Sequence, residues 1–459
     1  MVGRGPGRDD GMMADHVFHR STRARLPVAV AGEGITLIDA DGRRYLDACG
    51  GAAVSALGHG HPVIAAAIAQ QARTLEYAHT GFFTSEPAEA LASVIAEQCP
   101  GTLDRVWFTS SGSEAVEAAI KLARQYHLER GEPQRTRLIA RRQSYHGNTL
   151  GALSAGGHGA RRTAYAPLLL DVSLIDPCFA YHQARADETP QAYAARAAAA
   201  LETELQRVGP DTVMAFLAET VVGATAGAVP PEPGYLAAIR AICDRHGVLL
   251  ILDEVMCGSG RTGSFLACEQ DGVVPDIATI AKGLGAGYQP IGAVISSIAI
   301  HDTIAAHSGT LLHGQTYNGH PVGCAAALAV QAVIRDEGLL AKVTTGGAYL
   351  RARLHERLGD HPHVGDIRGR GYLQGIEFVA DRAARSPFDP ARGINQAIKA
   401  EAFARGLLVY PGGGTIDGRR GDHVVLAPPY ITSHAELDQI VNRLGEAVEA
   451  VFAQVGAMA

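Results

Sequence analysis

Two uninterrupted apolar runs, VMAFLA at 213–218 and VLLIL at 248–252, constrain this chain more than any other feature. Each has the length of a strand rather than a helix, and neither shows the alternation of a strand with one wet face. Strands of this kind are buried on both sides, the condition of a parallel sheet with helices on both faces. The surrounding segments agree. Residues 191–206 and 235–246 carry helical periodicity, and further short strands are expected at 105–109 (RVWFT), 138–140 and 277–281. The reading is an α/β fold with a mostly parallel central sheet flanked by helices.

In such sheets ligands bind beyond the carboxyl ends of the strands. Ser111, Tyr145, Glu219, Asp253 and Lys282 all fall at expected strand ends. Lys282 follows the apolar run 277–281 and precedes Gly283, Gly285 and Gly287 within 276–293, DIATIAKGLGAGYQPIGA. A lysine in that position is otherwise an ordinary loop residue, and elimination decides. The chain has only four lysines, Lys121, Lys282, Lys342 and Lys399, while arginine is abundant. The other three lie in helical, amphipathic surroundings. Arginine cannot form a Schiff base; a lysine near low-dielectric surroundings loses its proton more readily and can. Lys282 is read as chemical.

RVWFT runs into Ser110-Ser111-Gly112-Ser113 and then the helix EAVEAAIKLARQYH. A strand, a small hydroxyl-rich turn and a helix start make an anion site, because free amides and the helix dipole point at whatever sits there. The plain alternative is an N-cap, Ser113 with Glu117 nearby. Tyr145, in QSYHG, ends the 138–140 strand where an aromatic stacks on a planar ligand; taken alone it would be a half-buried rim residue.

Net charge is −7 with scattered basic residues, which gives nucleic-acid binding no support. No stretch has the apolar length of a membrane helix. The N-terminus has basic residues but no apolar core, so it does not read as a secretory signal. The seven cysteines are odd in number and widely spaced, the pattern of reduced cytosolic thiols rather than a disulfide or metal framework. A cytoplasmic location is expected.

Along the chain, 1–20 is expected to be a mobile extension. A hairpin is expected over 26–46, turning at Asp41-Gly42, then a small-residue loop at 50–62. Helices are expected at 63–75 and at 86–98, the latter capped by Ser85, and another from Asn148. Residues 157–190 read as loop. A glycine-rich loop at 314–323 leads into a helix at 324–335. Helices at 339–358 and 394–405, strands within 364–379, and a last helix from His434 complete the chain. The domains expected are an N-terminal part of a small domain (21–60), a large domain (61–325) and the C-terminal small domain (326–459).

A Schiff-base lysine, a phosphate cradle, a stacking aromatic and a strand-end carboxylate are what pyridoxal 5'-phosphate (PLP) requires. With SSGSEAVEAAIK, SYHGNT, LLILDEVMCGSGRTG, IAKGLGAGYQPIGA and GQTYNGHP, the chain resembles the class III (ω-amino acid type) aminotransferases of PLP fold type I over nearly its whole length. The resemblance implies that Lys282 is the internal aldimine lysine and that Asp253 pairs with the pyridine nitrogen. It places Val255 and Tyr145 on opposite ring faces, gives the phosphate to Gly112 and Ser113, and sets Ser111, His146 and Glu219 among the cofactor-binding residues. Thr316 matches a residue lent to the neighbouring subunit's phosphate, so a homodimer with shared sites is implied. The implied fold has a smaller α+β domain built from both chain ends.

Two departures bear on substrate. Members that bind 2-oxoglutarate through a fixed arginine read H-G-R-T where this chain has His146-Gly147-Asn148-Thr149, which removes a bidentate partner for a carboxylate. Their E-P-V-Q-G is here Glu219-Thr220-Val221-Val222-Gly223. Amine:pyruvate-type members use a mobile arginine before G-D-H, where this chain offers Arg419 and Arg420, and Arg420 is preferred. The reading is transfer of an amino group from an amine or ω-amino acid to a keto acid, with pyruvate favoured. A 2-oxoglutarate-using enzyme, a decarboxylase, racemase or aminomutase of the same fold, and a silent PLP-fold binding protein stay open.

Overall fold

The structure, a computed structural model, describes residues 16–457. Most of the extension expected at 1–20 therefore lies outside the described residues.

The central sheet has seven strands in the order Leu103–Thr109, Gly292–Ser297, Ile277–Ile280, Leu249–Asp253, Val213–Glu219, Arg137–Arg141 and Ser173–Ile175. Gly292–Ser297 runs antiparallel to both neighbours, and the other adjacent pairs are parallel. Alternate residues of each strand serve different cores. Phe216, Ala218, Leu250 and Leu252 pack with the helices Glu86–Gln98, Pro190–Val208 and Tyr235–His246. Ala215, Leu217, Leu249 and Ile251 pack with Gly112–Glu129 and Leu150–Ala155 on the other face. That double burial is why the runs read as apolar without alternation.

The chain ends meet in a second layer. The hairpin Thr36–Asp39 and Arg44–Asp47 forms about Asp41-Gly42, and Leu407–Leu408 pairs parallel with its second strand. A four-stranded sheet of Val364–Arg370, Leu373–Phe378, Asp422–Leu426 and Tyr410–Gly413 packs against Leu339–Leu358, Ile394–Ala404 and His434–Ala457. The seven cysteines are free thiols.

Several expectations need correction. The loop expected at 157–190 holds the edge strand Ser173–Ile175 and three short helical turns, Gly159–Arg162, Thr163–Leu168 and Ala180–Gln183. Elements of three to six residues are too short to show a period. Gly292–Ser297 was not expected as a strand, because three glycines and Pro290 precede it. The loop at 50–62 contains a kinked turn, Gly50–Ala53. The helix expected from Asn148 starts at Leu150 behind Thr149. Ser85 stands at its N-cap position without donating or accepting a capping bond.

The segment between Tyr410–Gly413 and Asp422–Leu426 is tied to the central layer. Gln143 Nε2 donates to the carbonyls of Gly414 (2.6 Å) and Thr415 (2.9 Å). His423 bridges Thr415 Oγ1 at 2.6 Å and the Ala224 carbonyl at 3.1 Å. Burial, with Arg368 nearby, lowers the His423 pKa to about 4. An unfolded histidine takes its proton near pH 6.5, so stability is lost as pH falls from about 6.5 to about 4, at most about 3 kcal/mol. Melting temperature measured from pH 7 to 4.5 should fall, with a shallower slope in His423→Gln; equal slopes in both proteins contradict this.

Candidate active site

Strand register sets the site. Glu219 pairs with Asp253, and Asp253 with Thr279, across three adjacent parallel strands. Three residues past Thr279 the chain turns at Lys282, which adopts φ +45°, a conformation costly for a non-glycine residue. Ser111, Gly112, Ser113, Tyr145, His146, Glu219, Asp253, Val255 and Lys282 all line one cavity of about 400 Å³. Nine residues singled out from strand ends and motifs thus converge.

Asp253 is buried and accepts three hydrogen bonds. His146 Nδ1 donates to Oδ2 at 2.8 Å, the Val255 amide to Oδ1 at 2.9 Å and Thr279 Oγ1 to Oδ1 at 3.4 Å. A carboxylate has about four acceptor positions, so one is left for a donor in the cavity. His146 is itself buried, and its Nε2 has no partner among the described residues. It holds the Asp253 carboxylate by the Nδ1 bond.

Glu219 accepts from the Tyr145 amide (3.1 Å) and the Gly223 amide (2.9 Å), so the carboxylate is held without an arginine side chain at Asn148. Burial raises its pKa. Burial also lowers the Lys282 pKa, opposed by the Asp253 and Glu219 carboxylates. Removing an amine from water favours its neutral, nucleophilic form.

At the helix start the cap is Ser111 rather than Ser113. Ser111 Oγ accepts from the Glu114 amide (3.2 Å), and the Glu114 carboxylate accepts from the Ser110 amide (2.7 Å). Ser113 Oγ instead accepts from the Asn148 amide at 3.1 Å. First-turn amides have no intrahelical acceptor, so those of Gly112 and Ser113 remain for an anion. A Cβ on Gly112 would come within 2.8 Å of Val255 Cγ1. Only glycine keeps both the turn and the Val255 wall in place.

Two expected residues lie elsewhere. Thr316 is exposed and outside the cavity of its own chain, with its carbonyl accepting from the Tyr77 hydroxyl at 3.0 Å. Arg420 is exposed, and its Nε donates to Asp417 Oδ2 at 2.7 Å. Asn148 is also exposed. Three features were not anticipated: Thr279 behind Asp253, Gly147 against Ser113, and Arg161, whose guanidinium lies 4.6 Å over the Tyr145 ring. Neither Thr279 nor Arg161 belongs to a local pattern that would single it out.

The donor set fits PLP. A lysine with a lowered pKa, a carboxylate with one open acceptor position, two free first-turn amides, and an aromatic and an aliphatic wall meet in a cavity of sufficient size.

Comparison with known proteins agrees. The aminotransferase class-III profile matches residues 18–448. An uncharacterised aminotransferase of Schizosaccharomyces pombe is 44% identical over 446 residues, covering 97% of each chain. Among solved structures, an (S)-enantioselective omega-transaminase from Thermomicrobium roseum superposes with a TM-score of 0.89 at 37% identity, covering 95% of this chain and 96% of its own. An omega-transaminase from Pseudomonas jessenii, solved in complex with PMP, gives 0.88 at 32% identity, covering 94% of each. The chain belongs to the class III aminotransferases and is an enzyme of that family, with the fold type I architecture expected of it.

The packing at the helix start makes a prediction. Gly147 has φ +133°, and a Cβ there would lie 2.5 Å from Ser113 Oγ and 2.8 Å from Ser113 Cα. Gly234 has φ +89° with open space around it. Gly234→Ala should cost only backbone strain, about 1–2 kcal/mol. Gly147→Ala should cost clearly more in denaturant unfolding, and equal losses would contradict the close approach.

Proposed function

We propose that this enzyme moves an amino group from an amine or ω-amino acid to a keto acid, with pyruvate as acceptor, using PLP held by Lys282. The observation that carries the reading is the convergence of Lys282, Asp253 and the helix start at Gly112 and Ser113 on one cavity. The PMP complex of the Pseudomonas jessenii neighbour supports the cofactor.

When bound, PLP supplies an electrophilic carbon and an electron sink. Lys282 Nζ would hold the cofactor and, as a free amine, would take the proton from the donor's amine-bearing carbon. Asp253, fixed by His146, Val255 and Thr279, holds a proton on the cofactor's basic nitrogen. Val255 and Tyr145 would give the bound ring its aliphatic and aromatic contacts. Ser111, Gly112 and Ser113 bind its phosphate, and Glu219 and His146 shape the polar edge.

Arg420 is the proposed ligand of the keto acid carboxylate. It must first leave Asp417, and an exposed pair of this kind is worth about 0–1 kcal/mol, so release is cheap. Thr316 is proposed to complete the phosphate site of a second copy in a homodimer. The exposed side chains of Phe82, Phe83 and Tyr317 support a covered face there. Among the described residues no helix is long and apolar enough to cross a membrane. A cytoplasmic location completes the proposal.

Lys282→Ala should lower turnover by more than about a thousandfold, as expected for loss of the proton-transferring amine. Steady-state transamination within about a hundredfold of the wild type in the pure variant would contradict it. With the cofactor converted to its amino form, pyruvate should restore the visible absorption and 2-oxoglutarate should not. Recovery mainly with 2-oxoglutarate would overturn the acceptor, and turnover without any keto acid would favour a racemase or aminomutase. Arg420→Gln should raise the KM for pyruvate about tenfold, the scale of one lost charged hydrogen bond. An equal change in the KM of a carboxylate-free amine would count against Arg420.

A further inference from the structure

Arg161 and Arg162 are neighbours with different fates. Arg162 is spent on the fold, donating to the carbonyls of Leu153, Ser154 and Gly156 at the end of Leu150–Ala155. The half-buried Arg161 donates its backbone amide to the His158 carbonyl, while its side chain makes no hydrogen bond or ion pair among the described residues. Its one contact of note is the Tyr145 ring, 4.6 Å below the guanidinium carbon. Tyr145 lines the cavity.

Stacking occupies the face of a guanidinium and leaves its in-plane N–H donors free. The cation–π attraction accounts for where the side chain lies. It does not supply acceptors for five donors. Of the other arginines around Tyr145, Arg141 donates to the Glu219 carbonyl, Arg420 pairs with Asp417, and Arg20 acts on Tyr145 through its charge. Arg161 is thus a free bidentate donor one aromatic ring from the cavity.

The turn that carries it is held in place. His158 Nε2 lies 3.1 Å from the Gly413 carbonyl, and a Cβ on Gly418 would come within 2.8 Å of the Gly159 amide nitrogen. The Gly159–Arg162 turn and the 414–421 segment therefore adjoin, so Arg161 and Arg420 come from neighbouring segments.

We propose that Arg161 determines donor specificity by receiving a carboxylate of the amino donor. The inference rests on the transaminase reading above and narrows it. The donor is an ω-amino acid, because a carboxylate held beyond the Tyr145 ring stands several bonds from the amine-bearing carbon. An α-amino acid, with both groups on one carbon, does not span that distance, and a simple amine leaves Arg161 unused. Arg420 serves the acceptor and Arg161 the donor, so the two substrates that alternate in the cavity place their carboxylates differently.

The test uses purified holoenzyme and follows loss of the visible cofactor absorption on adding 4-aminobutanoate or butylamine, which differ mainly by the carboxylate. The wild type should convert with 4-aminobutanoate at least tenfold more efficiently. Arg161→Gln should reduce that preference tenfold or more through the carboxylate donor, and Arg161→Lys should restore part of it. Pentanoate, which cannot react, should compete with the donor and lose affinity about tenfold in Arg161→Gln. Equal efficiency of the two donors in the wild type, or equal losses for both in Arg161→Gln, would overturn the inference while leaving the transaminase reading intact. No conversion by any amine would overturn that reading and the inference with it.

Discussion

A parallel sheet buried on both faces cannot hold chemistry in its middle, and that constraint shapes this protein. Every interior position of Val213–Glu219 and Leu249–Asp253 is packed, so a charged group is tolerated only where the strands end. Register then does the positioning. Glu219, Asp253 and Thr279 stand side by side because their strands pair in phase, and Lys282 follows one short turn later. The functional groups are brought together by sheet geometry rather than by any local motif.

The electrostatics follow from the same arrangement. Two buried carboxylates and one lysine line the same cavity. Asp253 is satisfied by three donors and Glu219 by two backbone amides, so neither depends on the lysine for a partner. Burial lowers the Lys282 pKa against the opposing pull of both carboxylates. Amides, not side-chain cations, do most of the holding here, which explains how the site tolerates asparagine at position 148.

Much of this was legible in the sequence, for identifiable reasons. Buried strands announce themselves as apolar runs, and a scarce lysine after such a run stands out against abundant arginine. Other features carried no signal. Gly292–Ser297 follows glycines and a proline, and its antiparallel direction depends on neighbours far apart in the chain. Ser111 and Ser113 are both plausible caps from sequence, and only the placement of Glu114 and Asn148 separates them. Arg161 lies in a segment without periodicity, and its position over Tyr145 is a tertiary fact.

The most direct test of the account is to identify the amine that carries the cofactor. Holoenzyme reduced with sodium borohydride fixes PLP to the nitrogen it is bonded to, and peptide mass spectrometry locates the modified residue. The account predicts a phosphopyridoxyl group on Lys282 alone. Modification of Lys121, Lys342 or Lys399 in its place, or none after cofactor loading, would contradict it.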